Sequence, residues 1–168
     1  YELALKVSLG NSFFVFLNLD ATGTNYSFGG GTVAGVDLCL PRIALGAIVH
    51  TKDANIELIA RFLEDLNKNI EIALKSLVDR YRFQSTATKK QFPKLMSGLW
   101  KGSEHLSTDD TLEDVLKYGT FEVGIFGLAE TLLILTGKNH AESRKSQEIG
   151  IEIIKEIDKF LISYTKEI

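Results

Sequence analysis

With one cysteine, Cys39, the chain can build neither an internal disulfide framework nor a zinc site from several thiolates. Such usage fits a reducing compartment, and a cytoplasmic location is expected. No run of about 18 uncharged apolar residues is present, which excludes a membrane-spanning helix of ordinary composition. A dominant charge is missing too: 19 basic against 22 acidic side chains leave a net charge of −3 and an isoelectric point near 5.7. So balanced a chain has no global attraction for a nucleic-acid backbone, and any polyanion it binds must be held locally. Tyr1 is preceded by no methionine and no signal-peptide pattern, so a piece of a longer polypeptide or a processed product is expected.

What is there is 168 residues, 45% of them hydrophobic and 24% charged, enough for a single domain with a real core. Leu3 to Leu19 is strand-like and interrupted at Gly10-Asn11-Ser12, the mark of an irregular tip or bulge. Asp20 to Gly31 is made of turn residues and reads as a loop. Thr32 to Leu40 reads as a buried strand with Cys39 at its end, and Pro41 stops its hydrogen-bond ladder before Arg42 to Val49 leads away. Beyond Asp53 apolar residues from Ile56 to Tyr81 recur at threes and fours, which predicts a long amphipathic helix whose mixed-charge face is solvated.

A linker with Phe92-Pro93, Trp100 and Gly102 follows. The run Asp109-Asp110-Thr111-Leu112-Glu113 predicts an acidic cap opening a short helix that Gly119 closes. Thr120 to Phe126 is strand-like, Gly127 to Glu130 opens a helix ending near Gly137, and Ala141 to about Tyr164 has the period of a second long amphipathic helix. No internal repeat or low-complexity run is present. Strands joined by long helices give an α/β fold class, part of a barrel or mixed sheet with helices packed outside.

The three histidines, His50, His105 and His140, have no spacing that puts two on one helical face, and no metal site is expected. No hydrolase elbow, dinucleotide fingerprint or Walker sequence occurs. Gly29-Gly30-Gly31 is a tight turn or a phosphate cradle, the former being the commoner use of such a run. At Gly127, Leu128 and Ala129 a strand ends in glycine just before a helix begins. Unpaired N–H groups there could bind an anion, or the glycine could serve close helix packing. Cys39 is an inert thiol or a nucleophile, and Arg42 is the one cation near it in sequence.

The segments Gly35 to Leu45, Asp109 to Gly119, Phe121 to Thr131 and Leu135 to His140, in that order and spacing, resemble the anaerobic (class III) ribonucleoside triphosphate reductases. The resemblance runs from about Leu9 to Phe160, and its Leu40-Pro41-Arg42 and Gly127-Leu128-Ala129-Glu130 segments are fairly specific. It implies a glycyl-radical enzyme built on a ten-stranded α/β barrel, with long amphipathic helices outside. In such enzymes a radical on a C-terminal glycine passes to a cysteine on a loop inside the barrel. That sulfur removes the ribose 3′ hydrogen, and formate serves many members as reductant. The glycyl radical is installed by an S-adenosylmethionine/iron-sulfur activase, and zinc sits in a C-terminal part.

Residues 1–168 would then form one domain, a central-to-late portion of the catalytic barrel, without the nucleotide-sensing cone, the zinc site or the glycyl-radical loop. No cofactor is then expected within the chain itself. Its expected partners are a ribonucleoside triphosphate, the activase, and a second copy or the rest of the reductase, with neither nucleic acid nor membrane among them. The arginine-containing turn of many members is replaced here by Phe28-Gly29-Gly30-Gly31, and two active-site positions also depart from the family pattern. The loop position of the radical cysteine is held by Asn11, which cannot form a thiyl radical, and the asparagine expected before Leu-Pro-Arg is replaced by Cys39. Cysteine and asparagine thus look exchanged across the active site. The site expected from the resemblance is Cys39 and Asn11 for catalysis, with Ser12, Gly127, Leu128 and Ala129 for substrate. The other reading is a non-catalytic relative that binds nucleotides or a full-length reductase.

Overall fold

A computed structural model describes residues 2–7, 32–51, 56–93, 96–97, 100, 102–117 and 120–165. Three parallel strands form its sheet: β1 (Glu2–Val7), β2 (Thr32–Cys39) and β3 (Thr120–Phe126), in the order β1-β3-β2. Parallel neighbours need long crossovers, and the one from β2 to β3 carries α1 (Leu40–His50), α2 (Ile56–Ser85) and α3 (Glu113–Leu116). After β3 come α4 (Leu128–Thr136) and α5 (Arg144–Thr165). This mixed helix and strand architecture is an α/β fold.

The 30 residues of α2 make a rod about 45 Å long at 1.5 Å per residue. Leu58, Phe62, Leu66, Ile70, Leu74 and Leu77 are buried along one side of it, at the spacing that marks a single helical face. The other side carries ion pairs at helical spacing: Arg61 with Asp65 at 3.1 Å, Lys68 with Glu64 at 2.6 Å, Lys75 with Glu71 at 2.6 Å. Each such exposed pair contributes only about 0.3–0.5 kcal/mol, so burial of the apolar face holds the helix in place. α2 lies against β2 and β3, and near its end Tyr81 meets Phe121 edge to face with ring centroids 6.0 Å apart. α5 packs on α2, α4 and β1, with Ile149, Ile153, Ile157 and Leu161 buried at every fourth position.

Two local expectations are corrected. Arg42 to Val49 is not a segment leading away from the strand but most of α1, with Pro41 in its first turn. Proline ends a strand by lacking an N–H, and the same lack together with its fixed φ suits it to open a helix. The acidic cap before α3 is also absent: Leu112 occupies the cap position with no side-chain hydrogen bond. Asp110 instead accepts the Ser107 N–H at 2.7 Å.

The described residues between α2 and α3 include cross-links along the chain. Thr88 and Thr111 form an antiparallel bridge, and the Lys89 ammonium donates to the carbonyls of Ser103 at 2.8 Å and Leu106 at 2.7 Å. Among the described residues no helix is long and apolar enough to cross a membrane.

Because Phe62 is completely buried while Phe83 on the same helix is 80% exposed, the two phenylalanines should behave differently. Urea unfolding of the chain is expected to show Phe62→Ala destabilised by about 3–5 kcal/mol. Phe83→Ala should change stability by no more than about 0.5 kcal/mol, the ordinary range for a surface site.

Candidate active site at the carboxyl edge of the sheet

Alternation along the strands gives the sheet two unlike faces. Ala34 and Leu38 of β2 and Phe121, Val123 and Ile125 of β3 are buried in the core under the helices. The intervening residues lie on the opposite face, where register pairs Gly35 with Glu122, Asp37 with Gly124, and Cys39 with Phe126. On that face Gly35 and Asp37 are exposed, Glu122 and Cys39 are half-buried, and Phe126 keeps 47% of its surface. Cys39 therefore does not belong to the apolar face of β2 that α2 covers.

Gly124 is explained by its partner across the strands. A Cβ at this position would overlap Oδ1 of Asp37, so the aspartate lies over the bare backbone of β3. The carboxylate, two residues before Cys39 on the same face, owes its place to that missing side chain. Neither Asp37 nor Glu122 stands out in the sequence read linearly. Counting back by two from Cys39 would have found Asp37, whereas Glu122 needs the register of β2 on β3.

All three strands end at the same side. Val7 pairs with Ile125, one residue before Phe126, and Cys39 pairs with Phe126 itself. α1 starts directly after Cys39, and α4 starts directly after Gly127, so two helix N-termini stand at this edge. Gly127 has φ 79°, a left-handed conformation that costs other residues energy, and a Cβ on it would overlap Pro41 Cγ. Close approach of the first turns of α1 and α4 thus gives Gly127 a packing role of its own. Leu128 and Ala129 are half-buried beside it, and Glu130 places a carboxylate in the first turn of α4, where it complements the helix dipole.

Asn11 and Ser12 lie outside the described residues, as do the glycine run at 29–31 and the expected loop over 20–31. Among the described residues no three His, Cys, Asp or Glu side chains gather as a metal-binding group. His50 ends α1, His105 ends a short turn beside Glu104, and His140 follows α4.

The carboxyl edge of a parallel sheet is where open α/β folds place ligands, because loops and helix N-termini converge there. Here that edge brings together a free thiol, a carboxylate over a glycine, and the first turns of two helices. A search of curated proteins finds no match to the chain. The family model described as anaerobic ribonucleoside-triphosphate reductase matches residues 9–168, a span that takes in β2, β3, every helix and Cys39. By that match the chain belongs to the anaerobic ribonucleoside-triphosphate reductase family.

Proposed function

We propose that the chain forms one wall of a ribonucleotide-reducing site, with Cys39 as the residue that exchanges a hydrogen atom with the ribose. The observation that carries this reading is the position of Cys39: the chain's one thiol, at the carboxyl edge of a parallel sheet, on the side the helices leave uncovered. Hydrogen-atom abstraction from carbon needs a group whose bond to hydrogen is of comparable strength, and sulfur provides it where the amide of Asn11 cannot. The glycyl radical of the family would supply the unpaired electron from a part of the enzyme outside these 168 residues.

In the step assigned to Cys39 its sulfur gains a hydrogen atom, the C3′–H bond of the ribose breaks, and the unpaired electron moves to the sugar. The 2′-hydroxyl then needs a proton to leave as water, and Asp37 and Glu122 are the carboxyl groups on the same face that could hold one. Backbone N–H groups of Gly127, Leu128 and Ala129 at the start of α4, with the Ser12 hydroxyl, are assigned to the triphosphate. Glu130 shares that turn, so the anion and this carboxylate act on the same dipole. A two-electron reductant such as formate, together with the activase, would come from the rest of the system.

A ten-stranded barrel is the framework this reading requires, and three strands are a part of it. β1 and β2 flank β3 in the described sheet, and each has an outer edge with no neighbour among the described residues. Unpaired edges favour association. Light scattering of the isolated chain should therefore give a mass above 18.6 kDa that rises with concentration. A single 18.6 kDa species over a wide concentration range would contradict the barrel-fragment framework.

The non-catalytic alternative rests on Asn11, an amide where the resemblance puts the radical cysteine. Substitution in the assembled, activated reductase separates the two. Cys39→Ser is expected to reduce deoxyribonucleotide formation to background while nucleotide binding persists, and Asn11→Ser to weaken turnover only partly. Equal loss from both, or none from either, would favour the binding role.

A further inference from the structure

A second cleft lies between α1 and α2, apart from the uncovered face of the sheet. It has a volume of about 270 Å³, and Arg42, Gly46 and His50 of α1 line it opposite Arg61, Asp65 and Lys68 of α2. On each helix these residues recur at threes and fours, so two stripes face one another. Arg42, Arg61 and Lys68 face the carboxylate of Asp65, and Glu64 beside the lining pairs with both Arg61 and Lys68, so the excess positive charge is the one that Arg42 brings, in a chain whose overall charge is −3.

Two features of this cleft run against what helix stability alone would select. Arg42 stands in the first turn of α1, where the dipole disfavours a cation, and that turn has no acidic residue to offset it. Gly46 sits within the helix, where glycine costs about 1 kcal/mol relative to alanine. Yet a Cβ there would meet nothing within 4 Å, so packing does not demand the glycine. Its effect is to leave the floor of the cleft open.

Arg61 and Lys68 are held in position by acids on their own helix. Arg61 Nε donates to Asp65 at 3.1 Å, and Lys68 Nζ to Glu64 at 2.6 Å. The hydrogen bond from Lys68, then its charge and that of Arg61, keep the Glu64 carboxyl below its ordinary range. Among the described residues Arg42 and His50 form no ion pair.

We propose that the α1–α2 cleft is a binding site for a phosphate group, with Arg42 and Lys68 as its principal cations and the bare backbone of Gly46 as its floor. Arg42 presents a planar fork suited to two oxygens of a tetrahedral anion, and Lys68 a compact charge. At about 270 Å³ the cleft is several times the size of a phosphate, so it has room for part of a group attached to that phosphate as well. The site is independent of the reductase chemistry assigned to Cys39, and its test does not require turnover.

The test is an NMR titration of the full chain with inorganic phosphate, at ionic strength held constant with sodium chloride. Parallel titrations use adenosine 5′-monophosphate and adenosine. Saturable shifts confined to α1 and the first half of α2 are expected with phosphate. Arg42→Gln and Lys68→Gln should each weaken binding about five-fold or more, the loss of one charge-assisted contact. Gly46→Asp, which puts a carboxylate on the floor, should abolish it, while unchanged spectra for β2, β3 and α5 report an intact fold.

Tighter binding of the monophosphate than of phosphate would make a nucleotide the source of the group, and equal binding would make it free phosphate. No saturable shift with either probe up to about 10 mM, or equal affinity in the parent chain and all three variants, would overturn the proposal.

Discussion

The pairing of β2 with β3 decides what the rest of the structure can do. Side chains in a strand alternate with a period of two, so a slip of one residue would exchange the two faces of β2 completely. In the observed register Ala34 and Leu38 go to the core, while Gly35, Asp37 and Cys39 share the opposite side with Glu122, Gly124 and Phe126. Slipped by one, Asp37 and Cys39 would turn toward the apolar core that α2 covers, burying a carboxylate at a cost comparable to the whole stability of a typical domain. One requirement, keeping Asp37 out of the core, thereby also sets the side on which the thiol stands. Gly124 completes the arrangement by leaving room for the aspartate over β3.

α2 and the α1–α4 contact hold that pairing from two directions. α2 covers the apolar face with a continuous stripe that includes Phe62, Leu66, Ile70 and Leu77, none of them accessible to solvent. At the carboxyl edge Pro41 and Gly127 come so close that no side chain fits between them. The two helix starts are thereby tied beside Cys39. The apolar stripe supplies the stability and the glycine contact supplies the geometry. The span matched by the family model, residues 9–168, includes every element just named.

Much of this was legible in the sequence wherever the signal is local. The period of α2 and α5, the bounds of β3, and the glycines flanking α4 all follow from side-chain spacing and from Gly127 and Gly137. α1 was missed because Pro41 satisfies two rules at once, ending a strand and opening a helix, and only the packing of Leu40, Ala44 and Ala47 into the core decides for the helix. Asp110 likewise had two competent uses, capping α3 or closing the Ser107 turn, and the bridge between Thr88 and Thr111 favours the turn.

The site was half legible for a related reason. Cys39 at a strand end is visible in the sequence, but which side it faces depends on β3, more than eighty residues downstream. The complement between Asp37 and Gly124 is likewise a property of the pair and of neither residue alone. Crosslinking tests the register and the face together. Facing residues of parallel strands lie about 5 Å apart, within disulfide reach. Introduced as Phe126→Cys, a second thiol should form an intramolecular disulfide with Cys39 under mild oxidation, and introduced as Ile125→Cys it should not. Efficient crosslinking of the Ile125→Cys variant, with none for Phe126→Cys, would contradict the account by placing Cys39 on the face that α2 covers.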